Sequence, residues 1–154
     1  MNATPLPPEL AASTPTGLPL LADRRMNDEH DELFRLVLAF QAAEPPGLVD
    51  AVIALRTHAA LHFSLEDEDL RRSEDPNAQC HLDEHAAVLR SLDEVRAVLE
   101  QHGVPPSTKA ALVQRLAVEL RRWLPEHVRE MDAGVATFRL QRRFGGSPVR
   151  VTRR

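Results

Sequence analysis

The 154-residue sequence contains no tyrosine, one cysteine and only six glycines. The single cysteine, Cys80, excludes an internal disulfide and is typical of a reducing compartment. Runs that combine valine, isoleucine, threonine and aromatic residues are missing, so the composition favours helices over strands. No run approaches about 18 consecutive apolar residues, and prolines interrupt the N-terminal stretch, so we expect neither a membrane-spanning helix nor an export signal. These absences predict an all-α, cytoplasmic, soluble protein.

Acidic side chains are missing from the last 22 residues, which contain six arginines. All 23 acidic residues and 13 of the 19 basic ones precede residue 133, so this body of the chain carries a formal charge of −10. Such a body repels nucleic acid and anionic membranes, and we expect neither as a partner. No motif in the sequence identifies a protein partner. We interpret the arginine-rich C-terminal end as a solvated tail.

Three breaks with proline, glycine or short polar residues divide the chain after residue 20 into four helical segments. Because the connections are short, consecutive helices should be antiparallel, which predicts an up-down-up-down four-helix bundle over residues 21–142. A flexible proline-rich arm, residues 1–20, precedes the bundle, and a basic tail, residues 143–154, follows it. The predicted helices cover residues 23–43, 48–72, 78–102 and 107–142.

Seven potential metal ligands occur at helical spacing, in positions where the core of the bundle is expected. His62 with Glu66 and His81 with His85 are i, i+4 pairs, and each pair projects from one face of its helix. The donors lie late in the second and fourth helices and early in the first and third. Antiparallel packing brings those four ends together at one end of the bundle. The seven are His30, His62, Glu66, His81, His85, His127 and Asp132.

The chemistry of these donors predicts a dinuclear metal centre. Burying two carboxylates and several imidazoles without partners would cost several kcal/mol for each charged group. Nitrogen and oxygen donors suit first-row transition metals, and seven donors are too many for one ion. Asp132 fits least well, because it follows His127 by five residues and would point about 140° away from it on an ideal α-helix.

The donors lie in four short motifs. Residues 27–34 are NDEHDELF, residues 62–67 are HFSLED, three residues separate His81 from His85, and residues 123–132 are WLPEHVREMD. In order and spacing these motifs resemble the bacterial hemerythrin family, whose domain is the hemerythrin HHE cation-binding domain. The resemblance covers residues 24–135.

The resemblance implies a non-haem centre of two Fe ions, bridged by Glu66, Asp132 and an oxo or hydroxo group. It also implies that His81, His85 and His127 complete the ligands of one iron. His30 and His62 would hold the other iron, which would keep a vacant position for dioxygen.

The function that the resemblance implies is dioxygen binding for storage, delivery or sensing, without an enzymatic role. Phe34, Phe63 and Trp123 lie next to the donors or one turn away, and we expect them to form the wall of the oxygen pocket. His58, one turn before His62, is interpreted as an accessory histidine, with a supporting or substitute ligand role as the alternative. We assign no metal role to His102.

One alternative function is a di-iron oxidase, a peroxidase or an iron-handling, ferroxidase-like protein. Ferritin-like di-iron enzymes use paired Glu-x-x-His motifs, and no glutamate lies three residues before any of the seven histidines. The absence of tyrosine also removes the usual radical carrier. A structural zinc or manganese bundle is the third possibility, although a structural zinc site normally has only four ligands.

Overall fold

The computed structural model describes residues 16–144, and these residues form an all-α fold. Most of the predicted arm and tail, residues 1–15 and 145–154, lies outside the described residues. A 3₁₀ turn, Pro45–Gly47, precedes the second helix, and a π-helical segment, Val128–Asp132, joins the last two. The α-helices are α1 (Arg24–Ala42), α2 (Leu48–Arg72), α3 (Ala78–Glu100), α4 (Pro106–His127) and α5 (Ala133–Arg143).

The helices pack in a closed ring that confirms the predicted four-helix bundle. Helices α1 and α3 each contact both α2 and α4, while α5 continues the fourth rod and contacts α2. Predicted and observed helix ends agree within two residues. The prediction of one uninterrupted fourth helix is wrong, because the π-helical segment divides it.

Helix α2 packs against α1 and α3 in this bundle. By length and composition alone, Pro45–Arg72 is long and apolar enough to cross a membrane. No such helix was predicted from the sequence. In the fold, however, α2 lies between α1 and α3, and its buried face includes His62 and Glu66. Packing inside the bundle buries 33% of its most apolar 18-residue stretch.

The segment before α1 lies against the bundle. Leu18 is only 1% exposed and belongs to the hydrophobic core, whereas Leu20 is half exposed. The Asn27 side-chain amide accepts a hydrogen bond from the Leu21 N–H and donates one to the Leu21 carbonyl, both at 2.8 Å. Asp23 caps α1 by accepting from the Met26 N–H at 3.0 Å. The described part of the predicted arm, residues 16–20, is thus non-helical and docked at the start of α1.

Replacing Leu92 by alanine is expected to lower the free energy of unfolding by about 2–5 kcal/mol, because its fully buried side chain would leave a cavity. Leu61, which is 64% exposed, is the matched control, and Leu61→Ala should change stability by less than about 0.5 kcal/mol. Denaturant unfolding of the metal-loaded proteins measures both changes. Equal effects would mean that the core is not where the structure places it.

Candidate metal centre

The structure brings all seven predicted donors together at one end of the bundle. They come from α1, α2, α3, the end of α4 and the π-helical segment. None is more than 3% exposed to solvent. The set is His30, His62, Glu66, His81, His85, His127 and Asp132.

The Glu66 carboxylate lies between two groups of histidines. Its Oε1 is 2.9 Å from Nε2 of His62 and 3.7 Å from Nε2 of His30. Its Oε2 faces the opposite way, 3.3 Å from Nε2 of His85 and 3.6 Å from Nε2 of His81. Each oxygen of Glu66 therefore serves a different group.

Asp132 has the same arrangement from the other side. Its Oδ1 is 2.9 Å from Nε2 of His81 and 3.0 Å from Nε2 of His127. Its Oδ2 is 2.9 Å from Nε2 of His30. Both carboxylates thus join the two groups of histidines.

The donor atoms form two sets that share these carboxylates, and within each set all atoms lie within 4.8 Å of one another. The first set, called here the five-donor group, consists of His81, His85, His127, Glu66 and Asp132. The second, the four-donor group, consists of His30, His62, Glu66 and Asp132.

The residues fit a pair of cations. Nε2 of His127 is 3.1 Å from Nε2 of both His81 and His85; two ligands at right angles, about 2.1 Å from a common ion, would be about 3.0 Å apart. Among the described residues, neither ring nitrogen of His30 and none of the four oxygens of Glu66 and Asp132 has a hydrogen-bond partner, although all are buried. Buried polar atoms normally have hydrogen-bond partners, so these inward-facing atoms without such partners fit a site that binds cations.

The π-helical segment brings Asp132 into the cluster. On a continuous α-helix Asp132 would point away from His127, which was the geometric objection to it. A π-helical turn contains one extra residue and places residue i+5 over residue i, so Asp132 comes to lie 3.0 Å from His127. Pro125, which has no N–H to donate within the helix, lies shortly before this segment.

Three carboxylates that the sequence prediction missed hold the outer nitrogens of the histidines. Nδ1 of His62 is 2.8 Å from Glu29, Nδ1 of His85 is 2.6 Å from Asp67, and Nδ1 of His127 is 3.0 Å from Glu84. A carboxylate on Nδ1 fixes the ring orientation and leaves Nε2 free to bind a metal. Each of these carboxylates is adjacent in sequence to a donor on its own helix and supports the donor on the next helix.

Close contacts between imidazoles and carboxylates shift the pKa values of the metal-free cluster. Burial alone would lower the pKa of His62, but the adjacent carboxylates of Glu29 and Glu66 outweigh it and raise that pKa to about 10. Burial likewise opposes the effect of Asp132 and Glu66 on His81, whose pKa rises to about 9. Burial would raise the pKa values of the Glu66 and Asp132 carboxyls, but the surrounding histidines hold both below their ordinary values. Without metal, imidazolium protons therefore compensate the buried carboxylates.

Two of the three predicted wall residues contact the donors. The ring of Phe63 is stacked on His85, with ring centroids 4.0 Å apart. The ring centroids of Trp123 and His127 are 4.2 Å apart. Phe34 is placed differently: it lines a surface groove with Gly17, Leu18 and Pro125, among other residues.

A small apolar cavity, of about 10 Å³, lies one helical turn from the donors. Phe63 and Trp123 belong to its lining. Four other lining residues are each three positions from a donor histidine in the sequence: Leu33, Ala59, Val88 and Leu124.

The remaining histidines and the cysteine lie outside the cluster. His58 is half-buried, and its Nε2 is 3.1 Å from the backbone carbonyl oxygen of Glu29, so it stands beside the site in an accessory position. His102 is exposed beyond the end of α3, and Cys80 is also exposed. None of them belongs to either donor group.

His127→Ala is expected to remove at least one metal ion per chain, because His127 Nε2 lies at the centre of the three-histidine set. His102→Ala is the matched control, and it should retain the full metal content. Metal analysis of the two purified variants tests this directly. Equal retention would show that the ligand assignment is wrong.

Comparison with known proteins adds independent information. A family model described as the hemerythrin HHE cation binding domain matches residues 21–138. A curated protein named bacteriohemerythrin, from Ralstonia nicotianae, is 30% identical over 122 residues, which cover 79% of this chain and 85% of that protein. No solved structure gives a significant match.

Proposed function

The chain belongs to the hemerythrin family, and we propose that it holds a pair of iron ions and binds dioxygen reversibly, for storage, delivery or sensing. In such a centre the reduced iron pair supplies the electrons that dioxygen binding requires. The protein supplies the ligands, the bridging carboxylates and the surrounding apolar wall. The bacteriohemerythrin from Ralstonia nicotianae gives further support by its name and similarity.

The observation that carries this proposal is the unequal number of donors in the two groups. Five protein donors face one position and four face the other, and the two sets share Glu66 and Asp132. With one oxo or hydroxo bridge added, an octahedral ion in the five-donor group would be fully coordinated. An ion in the four-donor group would retain one free position for an external ligand such as dioxygen.

The apolar surroundings favour a small apolar ligand over water. Phe63 and Trp123 contact donor histidines and also line the small cavity, whose other lining side chains are apolar. An apolar lining disfavours water, because a water molecule there would lack the polar partners that it needs. We assign Phe63 and Trp123 to the wall of the oxygen pocket and omit Phe34, which lies at the surface groove.

The oxidase, peroxidase or ferroxidase-like alternative has less support. Oxygen–oxygen bond cleavage requires a proton donor or acceptor positioned at the reacting atoms. Among the described residues of the cluster, two carboxylates bridge the donor groups, and Glu29, Asp67 and Glu84 are engaged by histidines. We therefore propose a binding protein, located in the reducing cytoplasm that its exposed Cys80 suits.

Mixing the anaerobically reduced, iron-loaded protein with dioxygen, followed by degassing, tests the function. We expect an absorption change that appears with dioxygen and reverses when it is removed, while the metal-free protein shows no change. Irreversible oxidation with turnover of peroxide would instead identify an enzyme and overturn the proposal.

A further inference from the structure

The two donor groups receive unequal support from the protein around them. In the five-donor group two of the three histidines have a carboxylate on Nδ1, Asp67 for His85 and Glu84 for His127. In the four-donor group Glu29 supports His62, but Nδ1 of His30 is buried without a hydrogen-bond partner among the described residues. Since such carboxylates orient the ring and raise its basicity, the five-donor group is the better prepared for an ion.

Aromatic packing increases this difference. The Phe63 ring lies parallel to His85, with an angle of 5° between their planes, and Trp123 lies over His127 at 30°. These contacts hold two imidazoles of the five-donor group in place. In the four-donor group the rings of His30 and His62 meet edge to face at 5.0 Å. His58 is stacked on His62 at a longer centroid distance, 6.4 Å, and no aromatic ring is stacked on His30 among the described residues. The closest ring contacts thus belong to the five-donor group, which favours it as the better ordered position before any ion binds.

The shared carboxylates make the two binding steps dependent on each other. Glu66 and Asp132 each offer one oxygen to each position. An ion that binds first neutralises part of the charge that attracts the second, and the two cations also repel each other across the bridge. The second step is therefore weaker than the first, whichever position fills first.

From these observations we propose that the two ions load in a fixed order, with the five-donor group filled first and the four-donor group filled second. This rests on the proposed two-ion centre but not on dioxygen binding. When iron is limiting, a chain holds one ion, bound by His81, His85 and His127 with the two carboxylates. The four-donor position is filled last, so the fraction of chains with a complete two-ion centre follows the iron supply.

Anaerobic titration of the metal-free chain with Mn(II), followed by EPR spectroscopy, tests the order. A single bound Mn(II) ion gives a sharp hyperfine-split spectrum, whereas two bridged ions couple and give a broader one. We expect the single-ion spectrum to grow up to about one equivalent and then to be replaced by the coupled spectrum. A coupled spectrum from the first addition would overturn the loading order while leaving the two-ion centre intact. A chain that binds neither Mn(II) nor iron would overturn the proposed function as well.

Two matched variants identify which position fills first. Glu84 and Glu29 are partly exposed glutamates, with side chains 34% and 20% accessible, and each is bonded to Nδ1 of one donor histidine. Glu84→Gln should weaken the first binding step by about 10- to 100-fold, and Glu29→Gln should weaken only the second by a similar factor. Both changes preserve side-chain shape, so both variants should fold and their metal affinities can be compared with that of the unchanged chain. Weakening of the first step by Glu29→Gln, or identical effects of the two variants, would refute the order.

Discussion

Glu66→Ala is expected to abolish metal binding at both positions, so that the purified variant contains almost no iron. Glu66 is fully buried, and its two oxygens face the two histidine groups. Its removal takes one donor from each ion and leaves the pair without its bridge. This loss of metal should exceed the loss caused by replacing any single donor histidine, because each histidine belongs to only one group.

Glu68→Ala is the matched control for this experiment. Glu68 lies on the same helix two residues later, but its side chain is 57% exposed and pairs with Arg72 at the surface. Metal analysis after anaerobic iron reconstitution should find full occupancy in this variant. If Glu66→Ala retained one tightly bound ion, Glu66 would not be a bridging ligand.

The second prediction is that removing the metal makes the stability of the protein fall as pH rises. The pKa of His62 increases from an ordinary 6.5 to about 10 in the folded metal-free chain, and that of His81 to about 9. Groups with a raised folded pKa contribute stability that is fully present below the unfolded value of 6.5 and is lost as pH rises through 9 to 10. Above that range the buried carboxylates face neutral imidazoles and lose their compensation.

At low pH the carboxyl groups reverse the trend. The folded pKa values of Glu66 and Asp132 lie below their ordinary 4.5 and 3.8, so their contribution is present above those values and is lost as pH falls further. The metal-free protein should therefore be most stable near pH 5 to 6, between the two ranges.

Thermal unfolding of both forms between about pH 5.5 and 9.5 measures this effect. We expect the Tm of the metal-free form to fall by on the order of 10 °C, since each kcal/mol shifts Tm by about 2–4 °C in a chain of this size. The metal-loaded form should change much less, because cations replace the protons. Parallel curves for the two forms would contradict the electrostatic description of the cluster.

Helix positions and most of the site could be predicted because both follow the helical repeat. The predicted range of α2, 48–72, is the observed one, and its apolar stripe continues directly into His62 and Glu66. A donor that replaces a core residue in such a stripe has to face the interior. Four stripes with donors at alternating ends then bring the donors together once the helices are antiparallel.

The position of Asp132 could not be derived in this way. Its approach to His127 depends on a local change from α- to π-helical hydrogen bonding over Val128–Asp132. A periodicity of 3.6 residues carries no signal for such a change, although Pro125 interrupts the helical hydrogen bonding shortly before it. Family resemblance therefore supported Asp132 where ideal helix geometry did not.

The carboxylates on the outer nitrogens were missed for a different reason. An acidic residue next to an inward-facing donor has the sequence pattern of a solvated face, as Asp67 has in the run at 66–69. Its partner is on the neighbouring helix, so helical spacing within one segment does not reveal it. The repeated pattern, in which Glu29, Asp67 and Glu84 each follow or precede a donor by one residue, is the signal that was available.

Anomalous X-ray diffraction at the iron edge, on crystals of the iron-reconstituted protein, is the most direct test of the central claim. It should show two iron peaks within about 4 Å of each other, with the Glu66 and Asp132 carboxylates each joining both. His81, His85 and His127 should surround one peak, and His30 and His62 the other. A single peak, or a structure in which Glu66 and His85 point away from every metal, would contradict the proposed centre.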